Sequence, residues 1–564
     1  MTTANPTLLE EKYASTLEKL CDASLQISQI LEVIIESRVV DTAVASQKGQ
    51  KCEISLSAGR MLDASHFSMA LHAFYAAKFQ NIELRLPKEP PENLDAVGHF
   101  YWKSFLVDLD LKPKGSTTRS LAKIGSTLKR RTIDEGKKKI FRLLNTLVRL
   151  HAHNDQKFVL YGTLYNVHPR LSSIADFFSF VKKSLRGNLL AIEYSDFYKL
   201  SKACKSPVSL HLRESLQTLF AEVLSRKFPH LQLEIADLSC FLAGTIPISN
   251  LEARIDNFQI ASKFAKSLHP AAVVSSNGFA SEKHTSFLAA ACKQLCNSTI
   301  IGIQHGGYYG YTRNHGQAFN TEYQFLDYLL TWGWGKNKTF LGTIRTKMIP
   351  IGSFHLRDLS LRSTQGRGDQ AATSKIQKIL LIAGPYLYTY PRCEQQVGRE
   401  LIDNYLIPIN SKAIARLANQ IGGNLYLKGG YVKLFEDHYF GQIALRSNEL
   451  GVRCQQIDSK LRAYDLFPNY DLIIFDSIGT GFFESIALNV PTLLLPSARQ
   501  MPSRDARDTL SELFFTDTFQ STDKYWTVFQ DAKKASLDFL NRFGKSSDSN
   551  IFDVIADMEI LSHK

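Results

Sequence analysis

Short apolar runs and amphipathic stretches alternate along most of the chain, and that alternation predicts the architecture. Apolar runs rich in β-branched residues stand at 158–161, 190–194, 271–276, 299–304, 328–332 and 348–351, then again at 378–383, 424–428, 454–457, 471–475 and 492–495. Runs of this kind mark strands covered on both faces. Stretches with helical apolar spacing separate them, at 171–185, 210–227, 251–268 and 281–296 in the first series and at 396–420, 461–466 and 482–488 in the second. Strand–helix alternation argues for parallel sheets with helices on both faces, so the expected class is α/β with two doubly wound, Rossmann-like domains. A polar stretch with few apolar residues lies between Leu356 and Lys375 and has linker composition. The expected division is an α-rich N-terminal extension at 1–150, a first Rossmann-like domain at 151–355, a linker at 356–375, a second Rossmann-like domain at 376–523 and C-terminal helices at 524–564. Within the extension, 8–37 reads as helix, 52–55 as a short strand, 64–79 as helix and 81–86 as strand, with Pro87, Pro90 and Pro91 forming a break.

Composition narrows the class further. The chain has 564 residues and a net charge of +13, most of it in the block from Lys112 to Arg149, where two carboxylates face a dense run of cations. A basic block describes a surface, and an anionic membrane leaflet is one partner for it, at about 1 kcal/mol per cation. Nucleic acid is excluded as a partner because the block has no interleaved aromatics and no helix-turn-helix, finger or RNA-recognition signature follows it. The eight cysteines are scattered, without metal or disulfide spacing, which fits a reducing cytoplasm. The first residues are too polar for a signal peptide, and no apolar run approaches the roughly 18 residues of a membrane span. The expected location is therefore cytoplasmic, with the basic block offering contact to the inner face of the plasma membrane.

Two strand ends carry the candidate chemistry. Residues 471–496 read as strand, tight turn, helix and strand, with Asp476-Ser477-Ile478-Gly479-Thr480-Gly481 at the turn and Glu484 on the following helix. A helix start after a buried strand presents unpaired N–H groups and partial positive charge, a phosphate site. Residues 299–310 form the second turn, where a buried strand runs into Gln304-His305-Gly306-Gly307, Tyr308 and Tyr309. Paired glycines let backbone approach a ligand, and His305 brings a group that titrates near neutrality. Glu322 and Asp327 follow, then Trp332-Gly333-Trp334, which suits either a stacking surface or a domain-interface core. Asn277 ends another strand, and Lys428 ends a strand in the second series, where it could pair with phosphate.

The run from Ser275 to Gly310, with Gln-His-Gly-Gly-x-Tyr-Gly, and the following Trp-Gly-Trp resemble a bacterial family of surface-carbohydrate transferases. The run is more distantly similar to bacterial transferases of Kdo and related 2-keto sugar acids, which use CMP-activated donors. The resemblance implies the GT-B glycosyltransferase architecture, with two Rossmann-like domains facing a cleft. It implies a nucleotide-sugar donor as substrate with no separate cofactor, a metal-independent reaction, and a glycan or lipid-linked glycan acceptor in lipopolysaccharide or capsule assembly. Donor-binding residues carried over are Ser477, Gly479, Thr480 and Glu484, and Lys428 joins them from its place at a strand end. Cleft residues are Gln304, Gly306, Gly307, Tyr309, Asn277 and Trp332. Catalytic candidates are His305, Glu322 and Asp327, with Glu193 added if a covalent intermediate forms. CMP-sugar transferases of this type often carry a His-Pro pair where this chain has Lys428-Gly429-Gly430. Alternatives are a nucleotide-sugar epimerase or hydrolase on the same frame, or a non-catalytic scaffold of a polysaccharide assembly complex.

Overall fold

The computed structural model describes residues 6–48, 54–79, 90–91, 157–161, 189–193, 207–231, 234–276, 278–281, 283–307, 309, 322–334, 345–364, 377–383, 407–429, 433–457, 461–476 and 479–494. The chain begins with α1 (Pro6–Glu36), α2 (Val39–Lys48) and α3 (Leu56–Phe79). The first strand series follows as β1 (Lys157–Tyr161), β2 (Leu189–Glu193), α4 (Leu210–Lys227), α5 (Ile235–Thr245), α6 (Arg254–Leu268), β3 (Ala272–Ser275), α7 (Gly278–Ser281), α8 (Lys283–Cys296), β4 (Thr299–Ile303), α9 (Glu322–Phe325), β5 (Tyr328–Thr331), β6 (Lys347–Pro350) and α10 (Phe354–Thr364). The second is β7 (Lys378–Ile382), α11 (Ile407–Ile421), β8 (Asn424–Lys428), α12 (Lys433–Glu449), β9 (Cys454–Gln456), α13 (Ala463–Leu466), β10 (Leu472–Phe475), α14 (Thr480–Ala487) and β11 (Thr492–Leu494).

The strands pair in parallel into two sheets, ordered β2-β1-β3-β4-β5-β6 and β11-β10-β7-β8-β9. Every position of β3, β4 and β10 is buried, as their uninterrupted apolar runs require, whereas the edge strand β6 is half-buried. Strand order reverses between β1 and β3 in the first sheet and between β7 and β10 in the second. At a reversal the connections depart to opposite faces and open a crevice beyond the strands' C-terminal ends, the place where open α/β sheets bind ligands. The chain is thus α/β with two doubly wound domains, the GT-B arrangement.

Helices α1–α3 are not an appendage. α3 packs on α5 and α8, while α1 and α2 pack on α4. The fully buried Arg254 of α6 donates to Asp41 of α2 at 2.9 Å and to both oxygens of Asp63 of α3 at 2.7 and 2.9 Å. A buried guanidinium requires such partners, so the N-terminal helices close the first domain's core.

Other departures have local causes. The strand expected at 52–55 is absent at Ile54 and Ser55, and α3 starts eight residues earlier than expected. The Ser55 hydroxyl accepts from the Ala58 N–H at 3.3 Å, an N-terminal cap. Helix α5 has Asp237 as its single charged residue and small residues on its exposed face, which blurs the polar stripe that would reveal it. Helix α10 occupies the first part of the expected linker; Leu356 and Leu359 are buried on it, and it packs on α14. Helix α12 was likewise not expected from the apolar pattern. The helix expected at 171–185, the strand at 81–86, the basic block and the C-terminal helices at 524–564 lie outside the described residues. No described helix is long and apolar enough to cross a membrane.

Candidate functional site

Strand β4 delivers the first turn into the space between the two sheets. Gln304, just past the strand, is fully buried, and its side chain clamps two loops together. Its amide N–H₂ donates to the Gly306 carbonyl at 2.8 Å, and its oxygen accepts from the Trp332 N–H and the Trp334 indole N–H, each at 2.7 Å. Gln304 therefore shapes the turn, its side-chain amide bonded to protein groups on both sides.

That clamp fixes the residue beside it. The His305 Nδ1–H donates to the Ser276 carbonyl at the end of β3, at 2.9 Å, and this leaves the lone pair of the neutral ring on Nε2. The imidazole is 18% exposed, and burial lowers its pKa to about 4, the bond to Ser276 only partly opposing it. At neutral pH the ring is an uncharged acceptor. The Tyr309 ring meets it edge-on, with centroids 5.1 Å apart. The Tyr309 hydroxyl donates to Glu322 Oε2 at 2.6 Å, and Glu322 Oε1 stands 4.0 Å from His305 Nδ1. Burial pushes the Glu322 carboxyl up to about 8 despite that hydrogen bond, so at neutral pH it is largely the neutral acid.

The second turn leaves β10 at the reversal point of its sheet. Gly479 caps α14 in extended conformation and, as glycine, brings no side-chain cap of its own. The first N–H groups of α14 have no intrahelical partners, and the partial positive charge of the helix collects there. Thr480 is half-buried at that start. Lys428, buried at the end of β8, brings a cation to the same edge of the sheet, with Nζ 3.5 Å from the Gly429 carbonyl.

The two turns touch. A Cβ placed on Gly307 would lie 2.5 Å from Phe483 Cδ2 and 2.6 Å from the Gly479 carbonyl oxygen, so only glycine permits this approach. The Trp332 ring meets Phe483 edge-on at 6.3 Å, with both side chains buried. Of the two roles open to the tryptophans, the structure gives Trp332 the domain-interface core. Glu484, one turn into α14, receives a hydrogen bond from His355 Nε2 at 2.7 Å.

The structure thus gathers His305, Gly306, Gly307, Tyr309, Glu322 and Trp332 on one side of the contact and Gly479, Thr480 and Glu484 on the other. Asp327 does not join them. It precedes β5, so it sits at the N-terminal edge of the sheet, about 13 Å of strand from the ligand edge. There Lys293 donates to both its oxygens at 2.7 Å, and the Ile300 N–H adds a third bond at 2.8 Å. Asn277 and Ser477 lie outside the described residues. Glu193 ends β2, the outer strand of the first sheet. Two participants escaped the sequence reading, the Ser276 carbonyl and His355. The second had a signal, because Gly352-Ser353 follows β6 as small residues follow the other ligand-edge strand ends. Among the described residues, no group of three or more His, Cys, Asp or Glu could hold a metal ion.

A family profile described as LIC12162 family transferase matches residues 195–523, more than half of the chain and most of both sheets. No curated protein matches the sequence. Among solved structures, the trehalose-6-phosphate phosphatase N-terminal domain of Candida albicans is similar at 8% identity, covering 72% of this chain and 97% of that one with a TM-score of 0.39. The α,α-trehalose 6-phosphate synthase of Burkholderia multivorans is similar at 11% identity, covering 72% and 98% with a TM-score of 0.37. The UDP-N-acetylglucosamine 2-epimerase of Rickettsia bellii is similar at 13% identity, covering 72% and 99% with a TM-score of 0.32. Likenesses of this degree carry no inference about donor or reaction.

Proposed function

The chain belongs to the LIC12162 family of transferases, and from that premise we propose that it is a glycosyltransferase that moves a sugar from a nucleotide-activated donor to a glycan acceptor. The observation that carries the proposal is the contact of the two turns. A helix start suited to phosphate lies against a turn holding an uncharged histidine, each at the ligand edge of its sheet.

Transfer needs two things of the protein. The departing nucleotide phosphate must have its growing charge stabilised, and the start of α14, with Lys428 along the sheet edge, is suited to that. The acceptor hydroxyl must lose its proton, and at neutral pH the uncharged His305 ring, which donates through Nδ1 to Ser276, carries its basic lone pair on Nε2. In the step, the acceptor oxygen bonds the anomeric carbon, the bond from that carbon to the phosphate oxygen breaks, and the hydroxyl proton moves to Nε2. Glu322 suits neither nucleophile nor base in the resting site, because burial keeps it protonated. Once ionised, above about pH 8, it stands 4.0 Å from the ring and is suited to steady the imidazolium that forms. A CMP-linked 2-keto sugar acid such as Kdo or a nonulosonate is the donor to test first, on the resemblance of residues 275–335. A lipopolysaccharide or capsule glycan is the matching acceptor, with the Lys112–Arg149 block holding the enzyme to an anionic leaflet.

The test is a thermal-shift screen of the full chain with CMP, UDP, GDP and dTDP and a sugar ester of each, followed by turnover with and without acceptor. A ligand selective for the folded state raises the melting temperature by mass action. The expected result is one stabilising nucleotide whose sugar ester turns over only with an acceptor present. Turnover without acceptor would instead make the protein an epimerase or hydrolase, and stabilisation by none of the eight would end the donor-site reading.

A further inference from the structure

The orientation of the Glu484 carboxylate is set from outside its own domain. The bond comes from His355, the second residue of α10, in the segment that leaves the last strand of the first sheet. Both side chains are nearly buried, at 13% and 10% exposure. Several contacts fix the histidine. The Ser353 hydroxyl accepts from the Leu356 N–H at 3.3 Å and caps α10; Leu356 and Leu359 anchor the helix, which packs on α14; and the Tyr464 ring meets the imidazole edge-on at 6.1 Å. Oε1 is committed to His355, while Oε2 has no hydrogen-bond partner among the described residues.

We propose that His355 is a positioning residue that fixes the Glu484 carboxylate so that Oε2 alone accepts from a hydroxyl of the donor sugar. The role rests on the reading of residues 479–484 as the donor site. A carboxylate free to rotate offers two equivalent oxygens and accepts hydroxyls in several arrangements. One whose Oε1 is pinned offers a single acceptor at one point, and so discriminates among sugars by where the hydroxyl lies. The sugar, and not the nucleotide, is what this pair selects. Since α10 arrives from the first domain, the aim of the carboxylate depends on that helix staying docked on α14.

Calorimetry on the full chain separates the role from a structural one. The probes are CMP, UDP, GDP and dTDP and a sugar ester of each. Wild type binds one ester more tightly than its parent nucleotide. His355→Ala is expected to weaken that ester about tenfold, the scale of one hydrogen bond to a charged group, while the parent nucleotide stays within about twofold. Glu484→Gln gives a similar loss, the double variant binds no worse than either single one, and His355→Gln, which keeps an N–H near the same point, recovers most of the affinity. Melting temperatures of the variants guard against loss of fold. Equal weakening of nucleotide and ester by His355→Ala, or no weakening of either, overturns the role of His355 while leaving the donor site standing. Wild type that binds none of the eight probes overturns the donor site, and this role with it.

Discussion

The two turns that meet between the sheets are made of opposite materials. The turn after β4 is made of side chains: Gln304 commits three hydrogen bonds to local structure, His305 is held by a neighbouring strand's carbonyl, and Tyr309 joins the ring to Glu322. The turn after β10 is made of backbone, with Gly479 opening a helix and adding no side-chain cap of its own. The difference assigns the labour. A proton must be taken at one atom in one direction, which demands a braced side chain. A phosphate is held by several N–H groups at once, which a bare helix start supplies. The first turn is expected to carry rate and the second to carry affinity.

Replacing His305 is the severest test of that division. His305→Ala is expected to lower kcat for transfer about a hundred- to ten-thousandfold, the range of a positioned general base, with nucleotide affinity and melting temperature little changed. Loss of affinity in place of rate would erase the distinction between the turns. The pH profile adds a sign. A base must be uncharged, and the His305 pKa sits at about 4, so kcat/KM of wild type should hold down to pH 5 and fall only near about 4, well below the usual 6.5. On the alkaline side, ionisation of Glu322 near 8 brings a negative charge to 4.0 Å from the ring and favours the imidazolium, so the rate should rise there, and Glu322→Gln should remove the rise.

The second test asks whether the side-chain turn depends on its clamp. Gln304→Leu keeps the bulk and removes the oxygen that accepts from both the Trp332 N–H and the Trp334 indole N–H. Removing a buried hydrogen-bond partner costs about 1–3 kcal/mol, so the urea midpoint should fall accordingly and kcat should fall with it as His305 loosens. An unchanged midpoint would mean that Gln304 does not brace the turn.

Legibility in the sequence follows the same division. The strands were readable because β4 and β10 are uninterrupted apolar runs, and the position of His305 followed from glycines at a strand's end. Pairings across space were not. Tyr309 reaches Glu322 through thirteen positions of chain, and His355 reaches Glu484 through 129. No periodicity encodes either. Asp327 was misjudged for a reason the sequence did contain: a residue that precedes its strand lies at the N-terminal edge of a parallel sheet, away from the ligand edge. Trp332 could not be assigned from composition because stacking platforms and interface cores use the same residue, and only its meeting with Phe483 distinguishes them.

The smallest expected effects come from the two glycines at the contact, and their inequality is the finest probe of the comparison. Gly307→Ala would drive a methyl against the Gly479 carbonyl oxygen, a backbone atom that cannot rotate away, as well as against Phe483. Overpacking of this kind costs about 1–3 kcal/mol, and relief requires the turns to separate, so amide exchange at the start of α14 should accelerate. Gly479→Ala meets nothing within 4 Å and keeps an extended backbone that any residue adopts, so it should lose only the modest preference for glycine over alanine at a helix cap, about 1 kcal/mol or less. The contact is thus one-sided: Gly307 must be glycine because the second turn is already there, whereas Gly479 faces open space on the side where a donor phosphate would lie. If Gly479→Ala spares stability yet weakens nucleotide binding while Gly307→Ala does the reverse, backbone access serves affinity on one side of the contact and close packing serves geometry on the other. Were the two variants to behave alike, the turns would be a single packed interface with no separate task for either.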